Sequence, residues 1–266
     1  MPELPEVETI RRQLEPILAG RAITSASSHP SEKFVEAPHA TGAGIDRVRR
    51  RGKYLILDLD DDRELIVHLG MTGQLSVQDD PDLDDYVRAS WMLDDGSTLV
   101  FRDVRRFGRI RVVEAGDYAT IATLNELGPE PFDDAFTPAH LHQALRASSR
   151  RIKTQLLSQR PVAGLGNIYA DEALWRSRVY PAARTISRPA AERLHVAIVD
   201  VLRAGIDNGG TTLRDYRNAE GGQGTNQFHL QCYGRGGEPC DRCGELMRSR
   251  VWDARTTTWC PSCQPR

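Results

Sequence analysis

Apolar residues recur at helical spacing near the start of the chain: Val7, Ile10, Leu14, Ile17 and Leu18 share one face of residues 3–20. This predicts an amphipathic helix, kinked or ended by Pro16. From about Arg21 to Val113 the period changes. Short apolar or alternating runs at 45–48, 54–59, 65–69, 90–93, 98–101 and 109–113 stand between turns such as Arg51-Gly52 and Asp95-Gly96. Several short strands at this spacing predict a β-sandwich. After a loop holding Gly128-Pro129-Glu130-Pro131 the helical spacing returns. Thr137-Pro138 forms a cap and first turn, a second helix covers 152–157, a third starts at Asn167, and a long one follows Ser187 and ends near Gly209-Gly210. The β and α parts therefore divide between 115 and 135.

Composition narrows the class. With 266 residues, 39% hydrophobic and 27% charged, the chain is long enough for two cored domains. It has neither an export signal nor an apolar run of bilayer length, so no membrane role and a cytoplasmic location are expected. The net charge of −2 runs against the simplest nucleic-acid picture. Its distribution restores it: acids crowd 58–62 and 79–85, while Arg47, Arg49, Arg50, Arg51 and Lys53 fall together, as do Arg102, Arg105, Arg106, Arg109 and Arg111. One basic face opposite an acidic back suffices to hold DNA. Only Lys33, Lys53 and Lys153 are lysines among thirty-five basic residues, and a lysine amine can lose its proton where arginine cannot.

Three stretches carry chemistry. In Met1-Pro2-Glu3-Leu4-Pro5-Glu6-Val7-Glu8-Thr9, removal of Met1 would leave Pro2 as a free secondary amine. A generic α-amino group, with a pKa of ~8, is roughly one-tenth neutral at pH 7, enough to attack an electrophilic sugar carbon. Glu3 beside it is placed to carry a proton. The same residues also make an ordinary helix start, with proline in the first turn and acids against the dipole. Cys240-x2-Cys243 and Cys260-x2-Cys263, sixteen residues apart, suit one tetrahedral structural Zn2+, while Cys232 is left over as a small buried residue. Gly164-Leu165-Gly166 precedes a helix start, where bare amides bind phosphate or glycine permits close packing.

The opening M-P-E-L-P-E-V-E-T resembles that of the formamidopyrimidine-DNA glycosylase family, which includes endonuclease VIII. The likeness continues through Arg51-Gly52-Lys53-Tyr54, His68-Leu69-Gly70-Met71-Thr72-Gly73, Asp103-Val104-Arg105-Arg106-Phe107-Gly108, the string from Pro161 to Glu172, Tyr233-Gly234-Arg235 and Arg255-Thr256-Thr257-Thr258-Trp259-Cys260. It implies an α+β fold: an N-terminal β-sandwich with an N-terminal helix (1–115), a linker (116–134), a helix–two-turn–helix domain (135–227) and a zinc finger ribbon (228–266). It also implies a monomer acting on double-stranded DNA that contains oxidised bases. By that resemblance Pro2, Glu3, Lys53 and Arg255 are catalytic, Lys53 and Arg255 also contacting phosphate. Lys153 and Asn167 hold phosphates, Met71 and Phe107 fill the gap left by an extruded nucleotide, and Arg105 faces the orphaned base.

The implied activity is excision of oxidised purines (8-oxoguanine, formamidopyrimidines), then β,δ-elimination through a Pro2 Schiff base. The same chemistry on oxidised pyrimidines or abasic sites stays open, as does a non-catalytic damage-binding protein. The departures are local. Val104 replaces a usual proline, Tyr86 and Arg88 stand where many relatives carry histidines, and Gly221-Gly222-Gln223-Gly224-Thr225-Asn226 lacks the Pro-Gly-Tyr-Phe of the capping loop. The last of these bears on lesion preference.

Overall fold

The computed structural model describes residues 1–82 and 84–266, which divide into two compact units. The first holds Met1–Asn125 and Ile206–Gln227, the second Glu126–Gly205 and Phe228–Arg266. Sequence character drew limits at 115, 134 and 227. Compactness instead places 206–227 with the N-terminal unit, because its backbone completes hydrogen bonds to the first helix.

That helix, α1 (Leu4–Leu18), buries Val7, Ile10, Leu14 and Leu18, as the spacing requires. Pro16 sits in its last turn, where the missing N–H removes a single bond, and the helix closes with the Ala19 amide on the Glu15 carbonyl. The strands are β1 (Ile23–Ser28), β2 (Ile45–Arg51), β3 (Tyr54–Leu59), β4 (Arg63–His68), β5 (Gly73–Gln78), β6 (Val87–Leu93), β7 (Thr98–Asp103) and β8 (Arg109–Glu114). They form two antiparallel four-stranded sheets, ordered β1-β6-β7-β5 and β2-β3-β4-β8. Trp91, Leu99 and Phe101 of one sheet share a core with Leu55, Leu57, Leu65 and Val67 of the other, joined by the apolar stripe of α1. This is the expected sandwich. Two strands, β1 and β5, are absent from the apolar pattern; they are the edges of one sheet, and their buried apolar positions are Ile23 and Leu75.

A short α2 (Ala122–Asn125) ends the contiguous N-terminal part. In the second unit, α3 (Pro138–Arg146) is capped by Thr137 Oγ1, which accepts the His140 amide at 3.1 Å. Helix α4 (Ile152–Leu157) leads through two left-handed positions, Gln159 and Gly164, to α5 (Asn167–Ser177). Helix α6 (Arg188–Asp207) follows. A ribbon of β9 (Arg248–Trp252) and β10 (Arg255–Trp259) lies near the C-terminus. Nearly all of α5 is buried, including Asp171 and Glu172, so those carboxylates must find partners inside the unit. Among the described residues, no helix is long and apolar enough to cross a membrane.

Candidate active site

The amino end of α1 is a buried polar cluster. Pro2 and Glu3 are buried, and Glu3 and Glu6 form a reciprocal capping box, the Glu3 amide donating to Glu6 Oε2 at 2.7 Å. The ordinary role of these residues as a helix start is thus real. Around it the structure collects charge that a helix start does not need. Lys53, only 3% exposed, occupies the two-residue turn between β2 and β3, where Arg51 pairs with Tyr54 and Gly52 takes φ +57°. Burial lowers the pKa of the Met1 ammonium, which precedes Pro2, below its usual value. The carboxylates of Glu3 and Glu6 oppose this, and Lys53 adds to it. An amine at this end of the chain is therefore biased toward its neutral, nucleophilic form.

Two residues of this cluster were missed as functional candidates. Glu6 Oε1 accepts the Thr211 amide at 2.7 Å, and a Cβ on Gly210 (φ +87°) would meet Glu6 Cγ at 2.9 Å. The Gly209-Gly210 pair therefore does more than end α6: it lets backbone approach a buried carboxylate. His68 is the second. Its Nδ1 accepts the Gly70 amide at 3.2 Å, which places the proton of the neutral ring on Nε2. Burial, followed by the charges of Lys53 and Arg109, lowers its pKa to about 4. His68 opens the His68–Gly73 string, but only the fold brings it within reach of the Lys53 charge.

The loops after β4 and β7 are bound to each other. Buried Asp103 accepts the Thr72 hydroxyl at 2.5 Å on one oxygen and the Gly108 amide at 2.7 Å on the other, while Thr72 Oγ1 accepts the Arg105 amide at 3.1 Å. These loops expose Met71 (41%) and Phe107 (45%), large apolar side chains that a core would otherwise claim. The Arg105 guanidinium lies 4.9 Å from the Phe107 ring centroid. Lys33 donates to the Arg106 carbonyl at 2.6 Å and lies 5.8 Å from the same ring, supporting the loop at left-handed Arg106 (φ +56°). Of the positions flagged as departures, Arg88 is buried, donating to the Asp103 and Asp85 carbonyls, whereas Tyr86 is exposed beneath Arg102.

In the second unit Lys153, Asn167 and Arg255 gather around one peptide. Lys153 Nζ donates to the Thr256 carbonyl at 3.0 Å, and Asn167 Nδ2 to the same oxygen at 3.1 Å. Lys153 is also paired with buried Asp171 at 2.6 Å and is 3% exposed itself. Its ammonium thus holds protein groups, a different setting from the open phosphate contact that the resemblance implies. Arg255 is exposed at the start of β10. The preceding turn, Asp253-Ala254, has positive φ at both residues (49° and 59°), a conformation that aspartate adopts more readily and that costs alanine roughly 1–2 kcal/mol.

The four ribbon cysteines converge. The Sγ atoms of Cys240, Cys243, Cys260 and Cys263 lie within 4.8 Å of one another. A tetrahedral ion with bonds of about 2.3 Å sets sulfurs about 3.8 Å apart, so the cluster matches that geometry. The Cys243 and Cys260 sulfurs are 3.4 Å apart, and two N–H groups already point at the cluster: Trp175 Nε1 toward Cys240 Sγ (3.4 Å) and the Cys263 amide toward Cys260 Sγ (3.3 Å). Donors of this kind stabilise thiolates and orient metal ligands. Helix α5 anchors the ribbon through Glu172, which accepts the amides of Gln231, Cys232 and Tyr233, and through Asp171, which accepts that of Thr258. Cys232 is buried, with its thiol donating to the Thr258 carbonyl.

Comparison with known proteins places both units. Residues 1–110 match the formamidopyrimidine-DNA glycosylase N-terminal domain, and residues 127–217 match the formamidopyrimidine-DNA glycosylase H2TH domain. The formamidopyrimidine-DNA glycosylase of Deinococcus radiodurans is 43% identical, covering 100% of this chain and 98% of its own. The crystal structure of the MutM (Fpg) protein from Thermus thermophilus superimposes with a TM-score of 0.92 at 42% identity, covering 99% and 98% of the two chains. A Lactococcus lactis Fpg mutant, solved in complex with a Fapy-dG containing DNA, gives 0.90 at 36% identity and covers 100% of both chains.

Proposed function

This chain belongs to the formamidopyrimidine-DNA glycosylase family, and we propose on that premise that it excises oxidised purines from double-stranded DNA and then cuts the strand through a Pro2 Schiff base. The observation that carries the proposal is the burial of Pro2, Glu3 and Lys53 at the amino end of α1, where even the Met1 ammonium is disfavoured by burial and then by the charge of Lys53. With Met1 removed, the Pro2 nitrogen attacks C1′ of the damaged nucleotide as the N-glycosidic bond breaks and the base leaves with a proton. The C1′–O4′ bond then opens, O4′ taking a proton and the nitrogen lone pair closing a C1′=N iminium, which acidifies the C2′ proton. β-Elimination expels the 3′ phosphate, δ-elimination the 5′ phosphate, and hydrolysis releases the sugar remnant and regenerates the amine.

Glu3 and Lys53 carry protons in this scheme, with Lys53 and Arg255 steadying phosphates. Met71 and Phe107, exposed on loops that Asp103 locks together, fill the space an everted nucleotide vacates, and Arg105 reads the opposite base. Lys153 and Asn167 act on phosphate by holding the backbone beside Arg255. Cys240, Cys243, Cys260 and Cys263 hold one Zn2+, which fixes the ribbon and takes no part in the chemistry.

Borohydride trapping tests the central step. Wild-type protein should form a covalent adduct with duplex containing 8-oxoguanine opposite cytosine, and intact mass should show loss of Met1. Protein that retains Met1 yet cleaves and traps at full rate would exclude Pro2 as nucleophile. The loop 221–226 supports a second lesion preference, since it lacks the familial capping residues and is instead tied back to the segment after α6, Asn226 Nδ2 donating to Thr211 Oγ1 at 2.8 Å. Faster excision of dihydrothymine than of 8-oxoguanine would assign oxidised pyrimidines as the substrate and leave the Pro2 chemistry intact.

A further inference from the structure

The ribbon turn that presents Arg255 carries one residue, Ala254, that does not favour its conformation. Trp252 pairs directly with Arg255, so Asp253 and Ala254 form a two-residue loop, and both need positive φ. Asparagine, aspartate or glycine ordinarily fill the first position and glycine the second, so Ala254 is the residue the turn disfavours. Here the turn is held from outside. The Thr154 hydroxyl of α4 donates to Asp253 Oδ2, and Arg151 Nη1, at the cap of the same helix, lies 3.4 Å from that oxygen. The Arg151 guanidinium also sits 5.7 Å from the Trp252 ring, which stacks on Trp259 at 5.1 Å. On the far side of Arg255, Lys153 and Asn167 hold the Thr256 carbonyl. Arg255 is thus an exposed side chain between two anchored peptides, and its own guanidinium reaches back to the Ala254 carbonyl, at 3.2 Å.

We propose that Asp253 is a positioning residue for Arg255: its tether to Thr154 and Arg151 sets the direction from which Arg255 meets a DNA phosphate. This rests on the role given to Arg255 above. Charge supports it. A carboxylate two residues from a phosphate-gripping arginine repels DNA unless its charge is offset; Arg151 offsets it, and the Thr154 hydroxyl helps fix the turn. A pre-aimed arginine then surrenders little freedom when the phosphate arrives.

Two substitutions cut the tether from opposite ends. Thr154→Val leaves the turn residues alone, and Asp253→Gly relaxes their backbone, so a role in turn stability predicts opposite effects for the two. If the tether positions Arg255, both lower the single-turnover cleavage of a preformed abasic duplex by about fivefold. Both also speed hydrogen exchange across 252–256 and leave melting temperature and zinc content unchanged, and Thr154→Ser restores the rate. In an Arg255→Ala background neither substitution costs anything further, since the tether acts through that side chain. Full-rate cleavage by either variant, or an equal loss with and without Arg255, overturns the proposal. A wild-type protein that does not cleave the abasic duplex refutes the lyase activity instead. In that case the same cycle, measured on affinity for the duplex, decides the tether alone.

Discussion

Glu6 accepts the backbone amide of Thr211 at 2.7 Å across 205 positions of sequence, while its other oxygen holds the Glu3 amide beside Pro2. One buried carboxylate therefore ties the amino terminus to the segment after α6 and contributes negative charge to the terminal amine.

Replacing Glu6 separates these two effects. Glu6→Ala leaves two buried N–H groups without their acceptor and should destabilise the protein by about 3 kcal/mol, read from urea midpoints. Glu6→Gln keeps much of the shape and removes the charge that raises the amine pKa. The acid limb of borohydride trapping should then move to lower pH, and an unmoved or raised limb would contradict the charge coupling.

His68 makes stability depend on pH. Its folded pKa, about 4, lies below the ordinary 6.5 because of burial and then the cations Lys53 and Arg109. Between those values the unfolded chain binds a proton that the folded ring refuses. Its contribution is complete above 6.5 and is lost as pH falls toward 4, by up to about 3 kcal/mol. Urea midpoints measured from pH 7.5 to 4 should show this slope, and His68→Gln should flatten it.

Lys153 and Asp171 form a buried pair at 2.6 Å, with burial raising the Asp171 carboxyl pKa and the Lys153 ammonium opposing. Lys153→Met removes the opposition and strands a buried acid, at a cost of about 3 kcal/mol near neutral pH. A carboxyl with a raised folded pKa keeps a proton that the unfolded chain has released. The variant should therefore lose stability as pH rises from about 4, and Asp171→Asn added to it should restore much of the loss, both visible in thermal melts.

Metal removal should release the ribbon. Chelation, or Cys260→Ala, is expected to lose one equivalent of zinc and to shift the emission of Trp175, whose indole N–H points at Cys240 Sγ. DNA binding should fall with it. Retention of the native emission after complete zinc loss would show that α5 alone holds the ribbon, through Asp171 and Glu172.

Met71→Ala and Phe107→Ala should spare stability, because both side chains are exposed, yet slow excision of a paired lesion by about tenfold. Cleavage at a preformed abasic site should drop far less. Equal losses on both substrates would remove extrusion as their role.

The sequence alone determined the elements with strong local causes. Helix α1 followed from its apolar stripe, α3 from Thr137-Pro138, the β2–β3 hairpin from Gly52, and the sulfur cluster from two Cys-x2-Cys pairs. The strands β1 and β5 were hidden because their polar serines and glutamines, in ITSASS and GQLSVQ, leave one buried apolar side chain apiece. The edge strands β2 and β8, by contrast, carry the branched apolar residues Ile45, Val48, Ile110, Val112 and Val113. Tertiary structure decided the contacts whose partners are far apart in the chain: Glu6 with Thr211, Asp103 locking two loops, Lys153 turned inward onto Asp171, and Asp253 held by Thr154. Periodicity reports which way a side chain faces. Hydrogen bonds and charge pairs depend on what distant backbone brings within about 3 Å, and that is settled only when the chain closes on itself.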